Sequence, residues 1–111
     1  MLEGSCDCGA VRIEIDAETI PAVWRCDCDM CRKLGSLWTY HPPSEVRILA
    51  EPGATAIYLR SNRVLEFHTC RTCGCSTHWT AVDQSRRRMG VNARMLSAEV
   101  LRQAVIEGPG I

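Results

Sequence analysis

The 111-residue chain holds 8 cysteines, and their grouping rather than their number is what suggests chemistry. The central group, Cys26-Asp27-Cys28-Asp29-Met30-Cys31, is a C-x-C-x-x-C run. In extended backbone, residues two apart point the same way, so Cys26 and Cys28 can aim both sulfurs at one point. A tight turn over Asp29 and Met30 would return Cys31 to that point. Three thiolates at about 2.3 Å from a common centre describe one face of a tetrahedral zinc site. Four protein ligands are the pattern of a structural zinc, and three with a free corner the pattern of a catalytic one. Nothing within the run supplies the fourth corner.

The two outer groups share a different feature. Cys6-Asp7-Cys8-Gly9 and Cys70-Arg71-Thr72-Cys73-Gly74 each place a glycine directly after the second cysteine. A glycine there allows a turn with positive φ that points N–H groups at the thiolates. Cys6, Cys8, Cys70 and Cys73 are therefore expected to close one four-cysteine zinc site, tying the N-terminal strand to a distant hairpin. Cys75 then has two readings: fourth ligand to the central group, or a small buried thiol.

The elements that must position these groups are mostly strands. Residues 10–16 alternate, with Val11, Ile13 and Ile15 on one face and Arg12, Glu14 and Asp16 on the other. Residues 22–25 lead, extended, into the central run, and residues 32–35 suit a short helical turn ended by Gly35. Strands are expected at 37–41, stopped by Pro42 and Pro43, at 55–60 and 64–69 as a hairpin, and at 76–81 and 88–93. Residues 44–49 read as a turn or a short strand. Ser97 can cap a helix over 98–104, with Glu99 in its first turn. The result is a mainly β fold with little helix, in a single domain spanning residues 1–111.

Composition narrows the function. Thirteen basic and thirteen acidic residues cancel, which removes a whole-molecule argument for nucleic acid or an anionic membrane. Seven metal-bound thiolates with two zinc ions would add a net charge of about −3. No basic and apolar leader opens the chain and no apolar run reaches membrane-spanning length. Cysteine-rich and without a secretory signal, it is expected in the reducing cytoplasm, its thiols serving as metal ligands rather than disulfides.

The order C-x-C-G, C-x-C-x-x-C, C-x-x-C-G, with Arg32-Lys33 after the middle cluster and Trp79 after the last, resembles the glutathione-dependent formaldehyde-activating enzyme family, which includes the centromere protein V group. The resemblance runs from Gly4 to about Leu96. It implies a β-tent of folded antiparallel sheets, a structural zinc on Cys6, Cys8, Cys70 and Cys73, and a catalytic zinc on Cys26, Cys28 and Cys31. It also implies a carbon–sulfur lyase acting on a glutathione or other small-thiol adduct of an aldehyde, of the S-hydroxymethyl class. The chain departs from the family at Asp27, where histidine is frequent, and at Cys75, where a small hydroxylic residue is common. Candidates for proton transfer are His41, His68 and His78, and Arg32 and Lys33 for a substrate carboxylate. The rival reading is a non-catalytic, zinc-stabilised binding module using Arg86-Arg87-Arg88, although three arginines in a loop of a neutral domain are more often simply solvated.

Overall fold

The alternation at the start of the chain produces the expected one-sided burial: Val11, Ile13 and Ile15 have no exposed surface. In the computed structural model, which describes residues 1–111, the strands and helices run in the order β1 (Leu2–Ser5), β2 (Arg12–Ile15), β3 (Ala22–Trp24), α1 (Asp29–Leu34), β4 (Trp38–His41), β5 (Val46–Leu49), β6 (Thr55–Leu59), β7 (Leu65–Cys70), β8 (Ser76–Ala81), β9 (Met89–Asn92), α2 (Ala98–Gln103) and β10 (Val105–Glu107). The fold is mainly β with two short helices.

Two sheets form. A three-stranded sheet has the order β1-β2-β5, and a seven-stranded one the order β10-β3-β4-β9-β8-β7-β6. All pairings are antiparallel except β10 with β3. The main core lies between the sheets, where Ile13, Ile15 and Val46 meet Val23, Met89 and Val91. On the outer side of the small sheet Arg47 binds Glu14 at 2.9 Å and Asp16 at 2.8 Å, joining β2 to β5.

The large sheet has a second apolar face. Register pairs Phe67 with Trp79 and His68 with His78. Alternation therefore sends the aromatic pair to one face and the histidine pair to the other. Phe67 and Trp79 join Trp38 and Cys31 in a separate buried cluster, so the central cysteine run sits against the face turned away from the main core.

Several local expectations change. The helical turn expected at 32–35 is α1, and it starts earlier, at Asp29. Asp29 and Met30 are thus helical rather than a tight turn, because the Cys28 sulfur accepts the Cys31 N–H and so acts as the N-cap. Residues 44–49 are both alternatives in succession, a 3-10 turn at Pro43–Glu45 and then β5. Two strands escaped the sequence. β1 carries Leu2 as its only large apolar residue, and β10 is an exposed edge strand held by parallel pairing to β3. The Ser97 cap forms as expected, accepting the Val100 N–H at 3.3 Å.

Candidate metal centres and the adjoining pocket

The first cluster joins the two sheets. Cys6 and Cys8 come from the turn between β1 and β2, Cys70 from the end of β7 and Cys73 from the turn that follows it. All four sulfurs lie within 4.8 Å of one another. Cys8 Sγ is 3.7 Å from Cys6 Sγ and 3.6 Å from Cys70 Sγ. A tetrahedron with arms of about 2.3 Å has edges near ~3.8 Å, so the spacing fits a metal and is far too long for disulfides. Both glycines adopt the anticipated conformation, Gly9 with φ 81° and Gly74 with φ 80°. The turns supply donors: the Val11 N–H reaches Cys6 Sγ at 3.3 Å. The Cys75 N–H and then the Cys8 N–H hold the Cys73 thiol down to about 6, inside the range where it is already a thiolate at neutral pH.

The second cluster is built from six consecutive residues. Cys26, Cys28 and Cys31 also lie with all sulfurs within 4.8 Å. Each sulfur has its own donor. The Cys28 N–H points at Cys26 Sγ at 3.5 Å, the Cys31 N–H at Cys28 Sγ at 3.3 Å, and the Trp38 indole N–H at Cys31 Sγ at 3.2 Å. Arg60, at the end of the β6 hairpin arm, brings Nη1 to 3.8 Å from Cys28 Sγ. Burial would raise the Cys28 thiol, but the Cys31 N–H, the neighbouring thiols and Arg60 outweigh it and the net shift is downward. Burial wins at Cys31, which is pushed up to about 12 even though the indole of Trp38 opposes it. Donors aimed at three sulfurs are what a metal-bound thiolate set requires around it.

No fourth protein ligand completes this second cluster. Cys75 packs instead beside Cys6, Cys70 and Cys73 in the first one, so it is not a ligand reaching across to the second. The open side of Cys26, Cys28 and Cys31 faces a pocket of 140 Å³ walled by Trp38, Tyr40, Leu65, Phe67 and Trp79, with Arg60 and Asn62 its polar members. The walls are fixed by packing. The Trp38 and Phe67 ring centroids are 6.1 Å apart, as are those of Tyr40 and Trp79. Gly90 backs Trp79 so closely that any Cβ there would collide with the indole.

The other sequence candidates lie outside the pocket. His68 and His78 stack with centroids 4.1 Å apart on the opposite face of the sheet, and His41 is also absent from the lining. Arg32 pairs with Asp29 at 3.1 Å, and Lys33 is exposed away from the lining. The residues that sequence reasoning missed are Arg60, Asn62 and the aromatic wall. The strand expected at 37–41 does put Trp38 and Tyr40 on one face, but that consequence was not drawn from the sequence. What was missing was the register that brings β4, β7 and β8 together.

The chain has relatives among known proteins. It matches the family of the glutathione-dependent formaldehyde-activating enzyme over residues 1–106. The chain belongs to this family. A solved structure of a Rhodobacter sphaeroides protein, 28% identical, superimposes with a TM-score of 0.77, covering 96% of this chain and 100% of that one. For a member of the glutathione-dependent formaldehyde-activating enzyme family, the arrangement provides two cysteine clusters that can hold metal ions, one complete and one open to a pocket. No helix is long and apolar enough to cross a membrane.

Proposed function

We propose that the protein is a zinc-dependent enzyme of the carbon–sulfur lyase type, acting on the adduct of glutathione or another small thiol with an aldehyde. The observation that carries this reading is the contrast between the clusters: four thiols in one, three in the other beside an aromatic pocket. Cys6, Cys8, Cys70 and Cys73 would hold one zinc and clamp the fold. Cys26, Cys28 and Cys31 would hold the second. When bound there, zinc would stabilise an incoming thiol as its thiolate and hold the sulfur beside the adduct carbon.

The chain's own residues do the rest. Three thiolates with one zinc carry about −1, and a fourth thiolate makes about −2. Arg60 and the indole of Trp38 offset that charge on the thiolate side. Trp38, Phe67 and Trp79 keep water from the carbon–sulfur bond and confine the small aldehyde. Burial pushes the Tyr40 phenol up to about 12, so it stays protonated and can hold the adduct oxygen as a donor, with the Asn62 amide as a second such group. Cleavage of an S-hydroxymethyl thiol breaks the carbon–sulfur bond, turns the C–OH into a carbonyl and returns the hydroxyl proton to sulfur. Addition is the reverse. No oxidant is needed. The reducing cytoplasm suits both the free thiols and such a substrate.

Cobalt substitution with counting of bound metal tests the reading. It requires two metals per chain, a second site with three sulfur ligands in the free protein, and a fourth on adding glutathione. Four sulfurs in both sites before any thiol is added would leave the binding-module reading in its place.

A further inference from the structure

The triad of Cys26, Cys28 and Cys31 has a neighbour that its own sequence does not announce. β3 leads into it: Trp24 ends the strand, and Cys26 follows two residues later. β3 meets β4 at a single position, Trp24 with Trp38, so past Trp24 no paired residue of β4 holds the chain. On the other side the pairing continues. The Arg25 N–H donates to the Glu107 carbonyl at 2.7 Å, and the Arg25 carbonyl accepts the Gly110 N–H at 2.9 Å. Both backbone groups of the residue before the triad are thus taken by the end of β10 and the segment that follows it.

That segment is shaped for the contact. Gly108 turns with φ 101°, and the ring of Pro109 fixes the next φ. A Cβ on Gly110 would stand 2.6 Å from the Arg25 carbonyl oxygen, 2.7 Å from that of Cys26 and 2.8 Å from Arg25 Cγ. Two of the three are backbone atoms, which cannot swing aside as a side chain can. Gly110, unlike Gly108, has no positive φ, so space alone demands glycine there. The other end of the triad is anchored separately. The Gly35 N–H donates to the Cys31 carbonyl at 3.0 Å, and Arg94 Nε donates to the Gly35 carbonyl at 2.8 Å. Without the segment after β10, the cysteine run would be held firmly at that end alone.

Holding Arg25 decides which way the first thiol points. With strand pairing carried through Arg25, Cys26 falls on the face of Trp24, the face where Trp38 meets Cys31. A turn of the backbone at Arg25 would carry the Cys26 sulfur off that face, and binding a metal would have to restore the order. We infer that Gly108-Pro109-Gly110 is a positioning strap for the open metal site. It fixes the backbone of Arg25 and Cys26 so that three sulfurs converge before a metal arrives, and it supplies no ligand. The run's own spacing provides the thiols, and the strap provides their alignment. The inference rests on the metal part of the reading above, and adds that the affinity and geometry of the second site are set by a segment remote from it in sequence.

Three variants test the strap. Gly110→Ala inserts the Cβ, Pro109→Gly loosens the segment without adding an atom, and Ile111→Ala, at a residue 94% exposed, is the control. Each protein, loaded with zinc or cobalt, is titrated with a chelator. Native mass spectrometry counts the ions that remain, and the cobalt spectrum shows whether the three-sulfur or the four-sulfur site has emptied. Gly110→Ala should weaken the triad's metal about tenfold or more, the usual result of disturbing what supports a ligand, and shift its cobalt bands. Pro109→Gly should weaken it about threefold, the scale on which one proline restricts a backbone. The tetrad's metal should keep the parent's affinity in both, and Ile111→Ala should match the parent throughout. Equal loss at both sites would overturn the strap, as would a lower Tm with the triad's affinity and bands unchanged. Should Gly110→Ala fail to fold, Pro109→Gly decides by the same comparison. The expected loss at the triad, in a protein whose cobalt spectrum glutathione leaves unaltered, would support the strap and overturn the thiol reading. A parent that holds only one metal would overturn both.

Discussion

A serine in place of a cysteine should act differently in the two clusters, because only one of them joins distant parts of the chain. Cys8 and Cys70 are 62 residues apart, and losing that closure unties the β1–β2 turn of the small sheet from the β7–β8 turn of the large one. Ser at Cys6, Cys8, Cys70 or Cys73 is expected to lower the Tm of the metal-loaded protein by about 10 °C or more. Ser at Cys26, Cys28 or Cys31 should cost less stability and abolish thiol-dependent turnover. Melting curves and an aldehyde-release assay on the seven variants check this; equal destabilisation in both sets would contradict it. Arg60 allows a finer test. Its guanidinium is the only cationic group on the pocket lining, so Arg60→Met should leave metal content unchanged and make the thiol harder to ionise there. The pH at which glutathione half-converts the cobalt spectrum should then move up, by about one unit if the cation contributes on the usual scale. An unmoved midpoint would assign Arg60 to packing.

At the level of the elements, the large sheet keeps its two faces chemically apart. The histidine pair faces away from the thiol pocket, and its inner member is nearly dry: His78 is 3% exposed and hydrogen-bonded through Nδ1 to Thr77 Oγ1 at 2.8 Å. Burial, and then the neighbouring His68, bring His78 from 6.5 to about 3. The folded chain therefore keeps this imidazole neutral while the unfolded chain takes up a proton below about pH 6.5. Its stabilising effect is complete above that pH and declines toward about 3, by up to about 1.4 kcal/mol per pH unit. Thermal melts of the metal-loaded parent and of His78→Gln at pH 7 and pH 5 should show a smaller drop in the variant, since metal release in acid is common to both. The same two-faced sheet explains what was legible in advance. Each cysteine group is a short local run, so its spacing, with the glycine that follows both outer groups, sorted Cys6, Cys8, Cys70 and Cys73 from Cys26, Cys28 and Cys31. The glycine turns at Gly9 and Gly74 were legible for the same reason. The aromatic wall was not, because Trp38, Phe67 and Trp79 meet only through the register of separate strands. The start of α1 was missed because cysteine is not an ordinary N-cap, and becomes one here as a hydrogen-bond acceptor within the cluster.

For the whole molecule, neutrality is the governing fact. Thirteen positive and thirteen negative side chains leave no net positive charge to attract a polyanion, and Arg88, one of the three consecutive arginines, lies against Tyr40 rather than forming a patch with the others. No salt-sensitive complex with duplex DNA is expected in the specific range at physiological ionic strength. Fluorescence anisotropy with a labelled duplex would settle the matter, and a tight complex lost on replacing Arg86 to Arg88 would favour a binding module instead.

The cysteine triad occupies six consecutive residues, whereas the tetrad needs residue 8 to meet residue 70. A chain leaving the ribosome therefore completes the triad's ligands soon after its first quarter, long before the tetrad's last ligand exists. The two ions should enter in sequence. The short run can capture metal while still unfolded, and the tetrad only when long-range pairing has formed, as its loop-closure cost dictates. Refolding from denaturant with limiting zinc should fill the triad first in pulsed native mass spectrometry. The site assigned to chemistry would then be loaded before the site that completes the fold.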